Sequence, residues 1–176
     1  MKEGLWTDNT TRECDSVSSV SRKLSEMRPD ESNPSAWPNI NAFFARERDS
    51  HIRPHSPLFA IWAMRDAFES RPEDEKCPFN GIQEQKILAA AQHILWDGQD
   101  LFNHVLSPQR LSPETMQRWQ PGPLYTGDHS LSLDRWRFWR TGFLGAAGTA
   151  GFESECRDVA ARAARMMEAF EQNLLF

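Results

Sequence analysis

The hydrophobic positions of this chain recur at the spacing of α-helices from about residue 37 onward. Within several segments an apolar side chain returns every three or four residues, which is the repeat of one helical face. β-branched residues, which favour strands, are scarce, with four Val and six Ile against 17 Ala. These patterns predict helices at about 38–49, 57–68, 82–105, 113–119, 133–143 and 152–174. The expected fold class is therefore all-α, an irregular bundle of about five to six helices.

Three serines stand directly before predicted helices, at Ser56, Ser112 and Ser132. A serine side chain at this position accepts a hydrogen bond from the backbone of the first helical turn. Pro57 and Pro113 then occupy the first helical position, where proline has no N–H to lose. We expect all three serines to be helix caps.

The N-terminal residues 1–34 differ from the rest of the chain in composition. They are rich in Ser, Asp, Glu and Arg and poor in large apolar side chains. Such a segment cannot bury enough surface to offset the entropy of ordering, so we expect a flexible tail. Within it, only 17–27 has the apolar spacing of a loosely docked helix. Residues 35–176 then form a single helical domain.

Charge and composition limit the location and the partners. The chain is 39% hydrophobic and 26% charged, with a net charge of -5. A negative net charge opposes general binding to nucleic acid or to anionic membranes, and neither partner is expected. No signal-like stretch or apolar run of about 18 residues is present. The expected location is therefore cytoplasmic, with the nucleus as the alternative.

The cysteines provide no framework for a disulfide network or a metal site. Cys14, Cys77 and Cys156 are far apart, odd in number and without a C-x-x-C pair. We therefore expect reduced thiols and no bound metal or cofactor.

Arg65 is the polar residue that the helical pattern does not explain. At 100° per residue it lies inside the apolar arc of the second predicted helix. A guanidinium group that faces a core must be paired or must line a cavity. One interpretation is structural, with an ion pair to Glu69, to Asp66 or to another helix, or with a side-chain stem lying on apolar surface and its charged head in water. The other is an anion-binding arginine in a small-molecule pocket.

A polar stripe runs along the third predicted helix. His93, Asp97, Asp100 and His104 are spaced so that all four side chains share one face. Imidazole and carboxylate groups can move a proton or bind a metal. However, the stripe is centred about 120° from the apolar face of the helix. We therefore expect most of it to face solvent.

Three arginines alternate with aromatic residues at 135–140. This composition is typical of surfaces on which nucleic-acid bases stack. Helical spacing instead assigns Trp136 and Trp139 to the core. We expect the arginines to pair with Asp134 or to cover aromatic faces.

Four sequence blocks resemble a family of fungal proteins, domain of unknown function 3632. The blocks are FAIWAMRDAFE at 59–69, AAAQHILW at 89–96, GPLYTG at 122–127 and RWRFWR at 135–140. The resemblance implies an intracellular helical protein from a family whose members are often encoded beside specialised-metabolite genes. It supplies no catalytic residues.

The leading functional hypothesis is a cofactor-independent small-molecule binder of the cyclase or isomerase type, in fungal specialised metabolism. Arg65 would orient an anionic or carbonyl group, Asp66 would fix that group, and His93 or Asp97 would move a proton. The apolar walls would come from three aromatic side chains, Trp62, Tyr125 and Trp136.

The alternative hypothesis is a non-catalytic interaction or scaffold module. The last predicted helix carries a narrow stripe that includes Met166, Met167 and Phe170, and such stripes bind partner proteins. This hypothesis includes a homodimer formed through the C-terminal helix. The sequence leaves open whether the chain is an enzyme. An enclosed pocket of roughly 300 Å³ or more that reaches Arg65 would favour the small-molecule hypothesis, and a solid core beneath an exposed apolar patch would favour the interaction module.

Overall fold

The computed structural model describes residues 26–50, 56–107 and 110–173. In these ranges the secondary structure is all helical, as predicted. The α-helices are α1 (Ala36–Asp49), α2 (Leu58–Met64), α3 (Ile82–Leu106), α4 (Pro113–Arg118), α5 (Leu133–Gly148) and α6 (Ser154–Gln172). A π-helical turn, Arg65–Glu69, directly continues α2, and a short 3-10 helix follows at Pro72–Asp74. The predicted tail up to residue 25, with most of the helix expected at 17–27, lies outside the described residues.

Two of the three predicted serine caps are confirmed. The side chains of Ser112 and Ser132 each accept a hydrogen bond of 3.2 Å from the backbone N–H three residues further on. The prediction for Ser56 is wrong, because Pro57 occupies the cap position of α2 and makes no side-chain hydrogen bond. Helix α5 also runs further than predicted, to Gly148.

Helix α3 is the central element of the bundle. It contacts α1, α2, α5 and α6 and buries the predicted apolar face. Helix α5 adds three fully buried rings, Trp136, Trp139 and Phe143. None of the helices in the described ranges is both long enough and apolar enough to cross a bilayer.

The apolar stripe of α6 packs inside the chain. Met167 is fully buried, and Met166 and Phe170 are partly buried against the same core. The side chains that we expected to form an exposed contact surface therefore help to hold α6 on α3 and α5. The homodimer stays a prediction, but this stripe is not an open surface for it.

A buried ion pair between Glu69 and Arg135 connects distant parts of the chain, and both side chains are 0% exposed. Arg135 Nε and Nη2 donate to the two carboxylate oxygens of Glu69 at 2.7 and 3.0 Å. Trp139 Nε1 and the backbone N–H of Gly122 donate to the same carboxylate at 2.7 and 2.8 Å. We call these four residues the Glu69 cluster. A buried ion pair is tolerated when its hydrogen bonds are complete, as they are here for the carboxylate.

The Glu69 cluster corrects the expectation for Arg135. Its guanidinium group does not pair with the neighbouring Asp134, although it does lie 5.2 Å from the centre of the Trp139 ring. Nη1 also donates to the carbonyls of Trp119 and His129, at 2.8 and 3.2 Å. The arginine therefore fastens the loop between α4 and α5 onto the end of the π-helical turn.

Gly122 is the residue that lets this loop approach so closely. A Cβ atom at this position would collide with the backbone carbonyl of Glu69. Two residues later, the backbone N–H of Leu124 donates to that carbonyl at 2.9 Å. The close approach therefore allows backbone and side-chain hydrogen bonds to form at the same point.

Substitution Glu69→Gln should destabilise the protein strongly. Glutamine preserves the shape of the side chain but leaves the Arg135 guanidinium buried without a counter-charge. We expect a loss of about 3–5 kcal/mol in the free energy of unfolding, measured by urea denaturation. The matched control is Arg137→Gln, which removes a pair with Glu171 in which the arginine side chain is 53% exposed. That change should cost less than about 1 kcal/mol, and an equally small loss for Glu69→Gln would contradict the prediction.

Candidate functional site

A groove of about 350 Å³ opens beside α1, α2 and the π-helical turn. Much of its lining consists of four aromatic side chains, Trp37, Phe44, Phe59 and Trp62. Asn41 and Ala63 lie among them, and the charged residues Arg28, Arg65 and Asp66 complete the lining. We call this feature the aromatic groove. Its volume reaches the range of small-molecule sites, and it reaches Arg65, but it is an open groove and not the enclosed pocket that the small-molecule hypothesis called for.

The aromatic side chains of the groove are ordered by contacts with one another. Trp37 and Phe44 are seven residues apart on α1, so they share one helical face. Phe44 stacks on Phe59 of α2, with ring centres 4.3 Å apart, and Phe59 meets Trp62 edge to face at 5.9 Å. Trp62 Nε1 donates to the backbone carbonyl of Arg118 at 3.0 Å. The apolar wall is therefore formed before any ligand binds.

The π-helical turn decides where Glu69 lies. Its defining bond runs from the N–H of Ser70 to the carbonyl of Arg65, at 3.0 Å. A π-turn holds more residues than an α-turn, so side chains after Arg65 depart from the 100° spacing used to predict the core. Glu69 consequently enters the core. Arg65 itself keeps α-helical spacing, because its N–H donates to the carbonyl of Ile61. It lies half-buried at the groove, because this part of the apolar arc borders the groove and not the core.

Arg65 retains hydrogen-bonding capacity toward the groove. Its Nη1 donates to the backbone carbonyl of Gln120 at 3.2 Å. In the described ranges no carboxylate comes within ion-pair distance of the guanidinium group, so the expected pairs with Asp66 and Glu69 are not formed. Most of the guanidinium N–H donors thus remain available to a ligand.

Asp66 presents a carboxylate beside that guanidinium group. Burial raises the pKa of Asp66, and the charges of Arg65, Lys86 and Arg28 offset this rise only in part. The carboxylate accepts no hydrogen bond from any residue that the structure describes. A cleft residue with such a perturbed pKa is a candidate acid or base.

His93 lies beneath the groove and does not line it. Only 2% of the residue is exposed, and its Nε2 donates to Asn41 Oδ1 at 3.0 Å. Burial, helped by the charge of Arg48, lowers the pKa of His93 to about 3. The ring is therefore neutral near pH 7. His93 is connected to the groove through its hydrogen bond to Asn41, which is a lining residue.

Asp97 lies further along the same interface. It is buried and forms an ion pair with Arg48 Nε, and Arg48 Nη2 donates to Asp100 at 2.9 Å. Burial raises the pKa of Asp97 to about 6. The expectation that this stripe of α3 faces solvent is wrong at His93 and Asp97, because polar residues of α1 cover it. The hydrophobic pattern of a helix reveals which face is apolar, so it cannot reveal a buried interface in which both contacting faces are polar.

The two remaining predicted wall residues lie elsewhere. Trp136 is fully buried, with its ring centre 5.0 Å from that of Phe102. Tyr125 packs on Phe138, at 5.2 Å between ring centres. Neither residue lines the aromatic groove, whereas Trp62 does. Of the predicted site, the structure brings together Arg65, Asp66 and Trp62, and it places His93 behind Asn41.

The sequence interpretation did not identify Trp37, Phe44 and Phe59 as wall residues. Their helical spacing was visible, but a stripe of aromatic side chains at that spacing is equally typical of a core. Only the relative position of α1 and α2 distinguishes a wall from a core.

Substitution His93→Gln should reduce the sensitivity of the fold to acid. The folded protein keeps His93 neutral, whereas the unfolded chain takes up a proton below about pH 6.5. The stability contributed by this residue is thus present above that pH and is lost as the pH falls toward 3. Between pH 7.5 and 5.0 the wild type should lose about 2 kcal/mol more stability than the variant.

Urea denaturation of both proteins at the two pH values measures this difference. The introduced glutamine retains an amide N–H for Asn41, and comparing each protein with itself removes any constant cost of the substitution. Equal losses in the two proteins would contradict a neutral, buried His93.

The sequence of this chain matches a known protein family. The sequence model of the family described as protein of unknown function, DUF3632, matches residues 2–143. The match includes the aromatic groove and the Glu69 cluster, and it ends within α5. No curated protein and no solved structure matches the chain. The chain belongs to the DUF3632 family.

Proposed function

We propose that this protein is a cofactor-independent small-molecule binder of the cyclase or isomerase type, with the aromatic groove as its site. The observation that carries the proposal is the adjacency of Arg65 and Asp66 in one aromatic-lined groove of about 350 Å³. Apolar walls with a few convergent polar groups are the usual composition of a ligand site. We also propose that the substrate belongs to fungal specialised metabolism, and this part of the proposal rests on the family resemblance.

Each charged residue has a distinct role in the proposed reaction. Arg65 donates hydrogen bonds to a carbonyl or anionic oxygen of the ligand and stabilises negative charge that develops there. Asp66 accepts a proton from one atom of the ligand and returns it to another. Its raised pKa makes this exchange easier near neutral pH than for an ordinary aspartate. Because the proton that leaves one ligand atom returns to another, the reaction needs no oxidant, reductant or other co-reactant.

His93 becomes a positioning residue in this proposal. Its ring is buried and neutral, and its hydrogen bond to Asn41 orients a side chain of the groove wall. Asn41 Nδ2 also donates to the carbonyl of Trp37 at 2.9 Å. Two hydrogen bonds thus hold this amide against the wall.

The scaffold hypothesis receives less support from the packing. Its proposed contact stripe on α6 is occupied by intramolecular contacts of Met167 and Phe170. The groove, by contrast, holds an Asp66 carboxylate that accepts no hydrogen bond from the described residues.

Binding to the groove can be tested with a panel of one-ring and two-ring aromatic ketones and carboxylates. In NMR titrations, binders should shift the indole N–H signals of Trp37 and Trp62. Arg65→Met, which keeps an apolar stem, should weaken these ligands at least tenfold, or about 1.4 kcal/mol. Arg162→Gln, an exposed position on α6, is the matched control and should bind normally. Shifts confined to other indoles would refute the groove as the site.

Proton transfer has its own test in deuterium oxide. A bound ketone with acidic C–H groups should exchange hydrogen for deuterium faster than it does in buffer, monitored as loss of its NMR signal. Asp66→Asn should abolish the acceleration while the ketone still binds, because an amide cannot take up the proton. Acceleration that persists in Asp66→Asn would exclude this carboxylate as the base.

A further inference from the structure

We propose that the aromatic groove recognises an aromatic α-amino acid through its free ammonium and carboxylate groups. This inference rests on the proposed function, because it names the ligand class of the same groove. Its basis is the juxtaposition of Arg65, Asp66 and four aromatic side chains.

The charges of the groove favour a ligand that carries both signs. Arg65 and Asp66 are consecutive residues that line the same cavity. A ligand with only a carboxylate would pair with Arg65 but leave Asp66 without a counter-charge. A ligand with only an ammonium group would pair with Asp66 but leave Arg65 without one. An α-amino acid carries both groups on one carbon atom. It therefore matches two adjacent opposite charges without leaving one unpaired.

The hydrogen-bonding capacity of the two residues matches the same ligand. The Asp66 carboxylate is half-buried and accepts no bond from the described parts of the chain. An ammonium group supplies three donors to such an acceptor. Arg65 gives one hydrogen bond to the Gln120 carbonyl and presents further donors in the fork geometry that carboxylates accept.

The remaining lining selects the side chain of the ligand. Trp37, Phe44, Phe59 and Trp62 offer ring faces and edges to an aromatic side chain. A volume of about 350 Å³ suits a ligand with one or two rings.

A second groove indicates the orientation of the ligand. Arg28 and Asp66 also border a neighbouring groove of about 860 Å³, which includes Lys86 and Glu75 among many charged side chains. At Arg28 and Asp66 the aromatic groove thus adjoins a region rich in charged side chains. The amino acid lies with its ring among the aromatic side chains and its charged groups toward Arg28.

Calorimetric titration with three related compounds tests the inference. L-tryptophan has both charges, tryptamine lacks the carboxylate, and indole-3-propionate lacks the ammonium group. We expect L-tryptophan to bind at least tenfold more tightly than either analogue. Asp66→Asn should remove its advantage over indole-3-propionate, and Arg65→Met should remove its advantage over tryptamine. Asp158→Asn and Arg162→Gln on α6 remove matched charges at exposed positions and should preserve both preferences.

The outcomes separate this inference from the proposed function. Equal affinity for the three compounds, or binding of the ketone panel without binding of L-tryptophan, overturns the amino-acid inference and leaves the groove as a small-molecule site. Failure of the groove to bind either set overturns both. Circular dichroism checks that each variant is folded. If a variant unfolds, the comparison of the three ligands on the wild type still decides.

Discussion

The buried ion pair between Glu69 and Arg135 is the interaction on which the rest of the fold depends. It joins residues 66 positions apart, and its four carboxylate hydrogen bonds come from α5 and from the loop before it. Three of the four family blocks, 59–69, 122–127 and 135–140, meet at this point. Because a partly satisfied buried charge is costly, the three segments must reach their positions together.

The same loop also serves the groove, which links stability to the site. Between residues 118 and 122, backbone groups that bond to groove residues alternate with backbone groups that bond to the Glu69 cluster. The carbonyl groups of Arg118 and Gln120 accept hydrogen bonds from Trp62 and Arg65. The Trp119 carbonyl and the Gly122 N–H bind Arg135 and Glu69. A groove supported in this way is rigid, because the backbone that borders it is also bonded to the core.

A second polar interface supports the groove from below. Asn41 and Arg48 lie on the face of α1 that covers His93 and Asp97 of α3. Hydrogen bonds and charge pairing make this burial possible, since an isolated imidazole or carboxylate would be costly there. The arrangement fixes α1, and hence Phe44, relative to α3, on which α2 also packs. The aromatic wall thus depends on a polar contact behind it.

Local features of the sequence determined the helices, two serine caps, the apolar face of α3 and the family, because periodicity, capping and block order act over short stretches of chain. They also showed that the helical pattern does not explain a charged residue at position 65, inside the apolar arc. The tertiary structure alone decided where Arg65 lies, because part of the apolar arc of α2 borders the groove while the rest packs in the core. It also decided that His93 is buried and that Glu69 meets Arg135. These contacts join residues 52 and 66 positions apart, so no pattern within one helix could predict them.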